Sequence, residues 1–148
     1  GFTGASEIEQ RAAEALATSR HAEAIAQYQA SIKLYDDARA RRQSQEAAVA
    51  DLLKRYEAAF EKGDVNALIT VTDVSDEDRR RWTQFFKLAS DIEAEVATTS
   101  LGYEMAGARL GLAVKLRYSN TDRRRVDTRF EKSMRAIERG GRWLLVEG

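Results

Sequence analysis

Residues 108–118 read Ala-Arg-Leu-Gly-Leu-Ala-Val-Lys-Leu-Arg-Tyr, and this stretch decides the fold. Leu110, Leu112, Val114, Leu116 and Tyr118 alternate with Arg109, Gly111, Ala113, Lys115 and Arg117. A period of two puts the apolar row on one face of a strand, as a half-buried antiparallel sheet requires. Toward the amino terminus the period changes once. Up to Ala89 the apolar residues recur three and four apart, at Leu53, Tyr56 and Phe60 and then at Trp82, Phe85, Phe86 and Ala89, the spacing of a helix with one buried face. From Ile92 onward the alternation holds. Helices first and strands afterwards predict an α+β domain with helices packed on one face of a sheet.

Composition narrows the partners more than the chemistry. A chain of 148 residues with 43% hydrophobic content can bury one core and carry a helical extension beside it. Lysine and arginine total 24, as do aspartate and glutamate, so no net field draws the chain to nucleic acid or to an anionic membrane. The absence of cysteine excludes disulfides, thiolate metal sites and a cysteine nucleophile. No apolar run approaches the roughly 20 residues of a membrane span, so a soluble fragment is the expectation; the lack of cysteine leaves its compartment open, with the cytoplasm slightly favoured over the periplasm. Residues 1–6, Gly-Phe-Thr-Gly-Ala-Ser, lack periodicity and read as a vector-derived or disordered tail on a piece of a larger protein.

Residues 7–50 read as a helical arm and 51–148 as the α+β domain. Ser6 is a plausible cap for an alanine-rich first helix over 8–18, with Glu7 and Glu9 in its first turn. A second helix begins near Arg20 or His21. With no glycine or proline between Ser6 and Gly63, nothing obliges it to stop until Lys62, apart from a break near residues 43–45 as the alternative. Its seam steps through Ile25, Tyr28, Ile32, Tyr35, Arg39, Arg42, Glu46, Val49, Leu53, Tyr56 and Phe60, apolar at both ends and charged in the middle. Gly63-Asp64 ends one helix and starts a short one over 65–71, and Ser75 with Asp78 opens another over 76–89. Four strands follow over 92–100, 108–118, 126–138 and 142–147, with hairpins at Asn120–Asp122 and at Gly140-Gly141. Lys132 and Ser133 interrupt the apolar row and suggest a bulge or an open concave surface. Trp82, Phe85, Leu112, Val114, Leu116 and Trp143 are the expected core.

The phrases RYEAAFEKGDVNAL, SDEDRRRWTQFF and RAIERGGRWLLVEG, in that order, resemble the cone-shaped fold of the nuclear transport factor 2-like and SnoaL-like superfamily over about residues 51–147. The resemblance implies helices packed on a curved four-stranded antiparallel sheet, and a pocket between helices and sheet. It is nearest to the non-catalytic versions appended to multidomain bacterial proteins. Residues 15–38 are similar to the second half of one tetratricopeptide repeat, with Ala24, Tyr28 and Ser31 at its small, aromatic and small positions. That likeness implies a helical hairpin turning at Ser19, where the repeat has glycine, and closing at Asp36, where it has proline. A lone repeat cannot cover both its faces.

Enzymes of the cone fold place an acid or base in the pocket, and candidates are few. His21, the only histidine, lies in the arm and reads as a surface residue. One histidine without cysteine gives no zinc site, and no cofactor or metal is expected. Asp91, Glu93 and Glu95 alternate with apolar residues as the solvent face of an edge strand does, rather than as a catalytic pair. Tyr103, Tyr118 and Trp143 are the pocket candidates. The clusters Arg39-Arg41-Arg42, Arg79-Arg80-Arg81 and Arg123-Arg124-Arg125 are flanked by acids, which disfavours phosphate binding.

The expectation is therefore a non-catalytic interaction or ligand-sensing domain. Its contact surface would be Ile25, Tyr28, Ile32, Tyr35, Arg39, Arg42 and Glu46, and its partner a second copy or another domain of the same protein. A small isomerase, dehydratase or hydrolase, or a carrier of an apolar molecule, is the alternative use of the pocket.

Overall fold

The computed structural model describes residues 2–148, with side chains described from residue 6 on. Helix α1 spans Phe2–Lys62, α2 Val65–Val71 and α3 Asp76–Leu88; strands β1 (Ser90–Glu104), β2 (Gly107–Ser119), β3 (Arg125–Arg139) and β4 (Arg142–Glu147) follow. The chain divides into two compact units, residues 1–42 and 43–148.

The first unit is helix alone. The expected turn at Ser19 is absent, so there is no hairpin: α1 runs unbroken through Ser19, Asp36 and Gln43–Gln45. The physical reason is local. Every residue from Ala5 to Lys62 tolerates helical backbone, and Thr18 returns its hydroxyl to the Glu14 carbonyl at 2.9 Å instead of capping a new helix. Part of the expected tail is helical as well, since α1 begins at Phe2; Gly1 lies outside the described residues.

The second unit begins earlier than residue 51 because Gln45 and Val49 already belong to it. Gln45 is buried and donates through Nε2 to the carbonyls of Glu104 and Met105, both at 3.1 Å, so it holds the β1–β2 turn. Val49, Leu52, Tyr56, Ala59 and Phe60 then present one buried face, centred on Leu52 rather than Leu53, which is half-buried. Gly63 stops α1 with φ +64, a left-handed cap that glycine adopts at little cost, and its N–H returns to the Phe60 carbonyl at 3.0 Å. Asp64 caps α2 by accepting from the Asn66 N–H, and Ser75 caps α3 by accepting from the Asp78 N–H.

The four strands form an antiparallel meander in the order β1-β2-β3-β4. Gly140 and Gly141, φ +59 and +79, make the two-residue β3–β4 turn. The irregularities fall in β1, between Ser90 and Glu93 and between Thr98 and Ser100, whereas β2 and β3 pair without a slip through Lys132 and Ser133. Alternation simply places those two side chains on opposite faces. The second bulge has a consequence for β1. Ahead of it Ala94 and Val96 share a face with Leu116 and Val114; beyond it Leu101 and Tyr103 take over that face, opposite Leu110 and Ala108.

Leu112, Val114 and Leu116 are buried as expected. Trp82, Phe85 and Trp143 are only half-buried and pack against the core from outside; α3, which carries the first two, buries no residue completely. Both sheet edges are guarded. The Ala94 and Val96 N–H groups of edge strand β1 donate to Glu61 and Glu57 of α1 at 3.3 Å. On β4, Thr72 bridges to Leu145 and the Asp73 N–H donates to the Leu145 carbonyl at 2.9 Å.

Candidate functional site

The concave face of the sheet, under α1 and α3, is where a pocket would lie. It is filled by rings. Phe60, fully buried, meets Tyr56 at 4.8 Å, Trp82 at 5.0 Å and Phe130 at 6.3 Å between centroids, all edge-to-face. Trp82 also stacks on Phe86 at 5.8 Å, and Tyr118 meets Phe85 edge-on at 4.9 Å. Such offset and T-shaped pairs stabilise by quadrupole complementarity as well as by area. Tyr56 is the ionisable group most deeply placed among them, and burial pushes its hydroxyl well above the ordinary tyrosine range. It stays protonated and cannot serve as a base near neutral pH.

The three aromatic pocket candidates do not come together. Tyr103 sits opposite Ala108 at one end of β2 and Tyr118 is ten residues further along the sheet, roughly 30 Å at the rise of a strand. Trp143 pairs with Glu138, near the Tyr103 end. All three are half-buried and packed on the core.

The opposite face of the sheet carries charge in alternating signs. Arg117 donates to Asp127 at 2.8 Å, Arg125 lies 3.3 Å from Glu93, and Arg129 donates to Glu131 at 3.0 Å. A shallow groove of about 630 Å³ runs over Glu93, Glu95, Lys115, Arg117, Asp127 and Arg129. The Arg117 guanidinium holds the Asp127 carboxyl below its usual range, and Asp127 in turn raises Arg117. Both side chains are more than half exposed, so the pair organises the surface and adds little stability. At the far end Glu104 takes hydrogen bonds from Arg109 and Arg135, which lower its carboxyl pKa. Nothing in the sequence marked this trio. Its members come from β1, β2 and β3 and meet only through strand register.

The remaining candidates are placed plainly. His21 is exposed on α1. Asp91, Glu93 and Glu95 are exposed on edge strand β1, where Asp91 offers its carbonyl to Arg125 at 2.7 Å. In the central arginine cluster Arg81 pairs with Glu77 at 2.7 Å and with Asp78 at 3.9 Å. Among the described residues no group of three or more His, Asp or Glu side chains is arranged to hold a metal ion, and no helix is long and apolar enough to cross a membrane. On α1, Ile25 and Ile32 are 44% and 42% exposed and Tyr28 and Tyr35 69% and 71%, while Arg39 and Glu46 are exposed too.

No protein-family model matches this sequence, and neither does any curated protein. The likeness is one of structure. A conserved protein from Planctomyces limnophilus superposes with TM-score 0.60 at 14% identity, over 70% of this chain and 91% of its own. A proposed dehydratase of the NTF2-like family from Streptomyces avermitilis gives 0.57 at 11% identity, over 70% and 92%. The fold is the nuclear transport factor 2-like cone. A proposed aromatic ring hydroxylase from Novosphingobium aromaticivorans shares the cone at TM-score 0.57 and 18% identity, over 69% of this chain and 84% of that one. At these identities the cone is common to all and the chemistry of one is not evidence for another. In this chain the four strands form an open sheet.

Proposed function

We propose that this chain is a non-catalytic interaction domain of a larger bacterial protein, in which the cone is a folded platform and the first unit of α1 makes the contact. The observation that carries this reading is the filled concave face. Phe60, Tyr56, Trp82 and Phe130 occupy the space between helices and sheet where cone enzymes hold their reacting group, and the deepest titratable side chain there is a tyrosine locked in its neutral form. The contact element is the stripe Ile25, Tyr28, Ile32 and Tyr35, four large side chains on one helical face with more than 40% of each exposed. Apolar rows of this kind on a surface helix are what association covers.

Sedimentation of the chain should show a dimer, and Ile25→Asp combined with Ile32→Asp should give a monomer whose cone melts at the unchanged temperature. A monomer at every concentration from micromolar to millimolar would refute self-association. Native mass spectrometry provides the independent check: an apolar molecule retained after purification would make the domain a carrier and overturn the reading of the concave face.

A further inference from the structure

We propose that two copies of this chain join edge to edge through the free stretch of β3, residues 125–132, as antiparallel strands about a two-fold axis at Thr128. The inference rests on the self-association just proposed and adds a second contact to it. The guards on β1 and β4 leave this stretch open. β4 pairs with β3 only from Met134 to Arg139, and the ladder ends where the Gly148 N–H donates to the Ser133 carbonyl at 3.2 Å. That bond fixes which groups lie free. Backbone N–H and C=O groups of alternate residues point to the same side of a strand, so those of Glu131, Arg129, Asp127 and Arg125 face, with Ser133, the side that β4 vacates. Among the described residues these outward groups at Asp127, Arg129 and Glu131 have no hydrogen-bond partner, and such a row is a template for another strand.

Charge identifies a second copy as the strand that fits. Arg125, Asp127, Arg129 and Glu131 alternate in sign along the exposed face of the sheet. Reversal about Thr128 sets Arg125 against Glu131 of the other copy and Asp127 against its Arg129, each pair occurring twice, as a two-fold contact demands. These are also the positions whose free backbone groups meet, so hydrogen bonds and ion pairs require one register. Moving the axis to Asp127 or to Arg129 would oppose like charges, and so would in-register parallel pairing. Asp127 and Glu131 each commit one oxygen within the chain, Oδ1 to Arg117 and Oε1 to Arg129, and hold the other for the partner. An edge contact of this length belongs to the weak class of interfaces, below roughly 1,200 Å². It therefore forms once the arm has raised the local concentration of the two cones.

The chain has no cysteine, so a thiol introduced at the axis reports the pairing alone. Thr128 is exposed, and in the proposed register it faces its own copy as a non-hydrogen-bonded pair with Cα atoms about 4.5 Å apart, within the span of a disulfide. The experiment oxidises Thr128→Cys alone, then the same variant carrying Asp127→Lys or Arg129→Asp, each separately and as an equimolar mixture, with melting of every variant checked. Sedimentation of the unmodified chain is run alongside. The expected result is a disulfide-linked dimer from Thr128→Cys and a fall in its rate on the order of tenfold with either charge change. In the mixture the rate should recover, with one chain of each kind in the product by mass spectrometry, because each changed side chain then meets its opposite. A sedimenting dimer that forms no disulfide, or forms it at the same rate whatever the charges, overturns the edge pairing and leaves the arm's self-association standing. A monomer in sedimentation overturns both.

Discussion

Replacing Phe60 with alanine tests the packing of the cone most directly. The ring is fully buried and joins α1 to α3 and β3 through its contacts with Trp82 at 5.0 Å and Phe130 at 6.3 Å, besides Tyr56 at 4.8 Å on its own helix. Removing a buried phenylalanine costs about 3–5 kcal/mol from lost transfer energy and the cavity left behind. Three edge-to-face partners, each worth ~0.5–1.5 kcal/mol beyond its area, push Phe60→Ala toward the upper end. For a cooperative unit of the size of residues 43–148, a loss of about 4 kcal/mol corresponds to a fall in Tm on the order of 15 °C or more. Urea denaturation followed by tryptophan fluorescence reads it, because Trp82 touches the deleted ring. A loss below about 1.5 kcal/mol would mean that the concave face is not a packed core, and the argument against a pocket would fall with it.

Trp143→Ala should cost clearly less than Phe60→Ala in the same urea titration, since its ring is only half-buried; an equal loss would put it at the centre of the core. Gly107→Ala should destabilise by about 1–3 kcal/mol, because a Cβ there would lie 2.2 Å from the Ala136 carbonyl oxygen, and unaltered melting would show that β2 and β3 separate freely at that point. The Glu104 carboxyl is held low first by Arg109 and then by Arg135. A depressed folded pKa adds stability above the unfolded value, about 4.3, and that addition fades as pH falls through the folded value. The stability gap between wild type and Glu104→Gln should therefore narrow on acidification below about pH 4, and a gap constant from pH 7 to pH 3 would refute the pairing. His21→Ala should leave melting of the cone unchanged, as expected of an exposed helical residue.

Periodicity determined most of the architecture. Alternation along residues 108–118 and the three-and-four spacing before Ala89 are imposed by the geometry of strand and helix, so they are visible in one dimension. Ser75, Gly63 and Gly140-Gly141 likewise mark caps and turns through the residue's own backbone and side-chain preferences. The continuity of α1 was half legible. The lack of glycine and proline permits it, whereas the likeness of residues 15–38 to a repeat suggested a turn that no local residue enforces. What only the tertiary structure decided involves partners distant along the chain. Gln45 looked like one more polar helix residue, and it is buried because a turn 59 residues away offers it a carbonyl. Glu57 and Glu61 accept from the open edge of β1, and nothing in their own stretch of sequence sets them apart from other helical acids. Tyr103, Tyr118 and Trp143 could share a pocket as a list but not as a sheet, because strand register spreads them along it. Residue type and spacing carry the cost of exposing an apolar row; which rows meet, and whether they leave a cavity between them, depends on register and packing that no single segment contains.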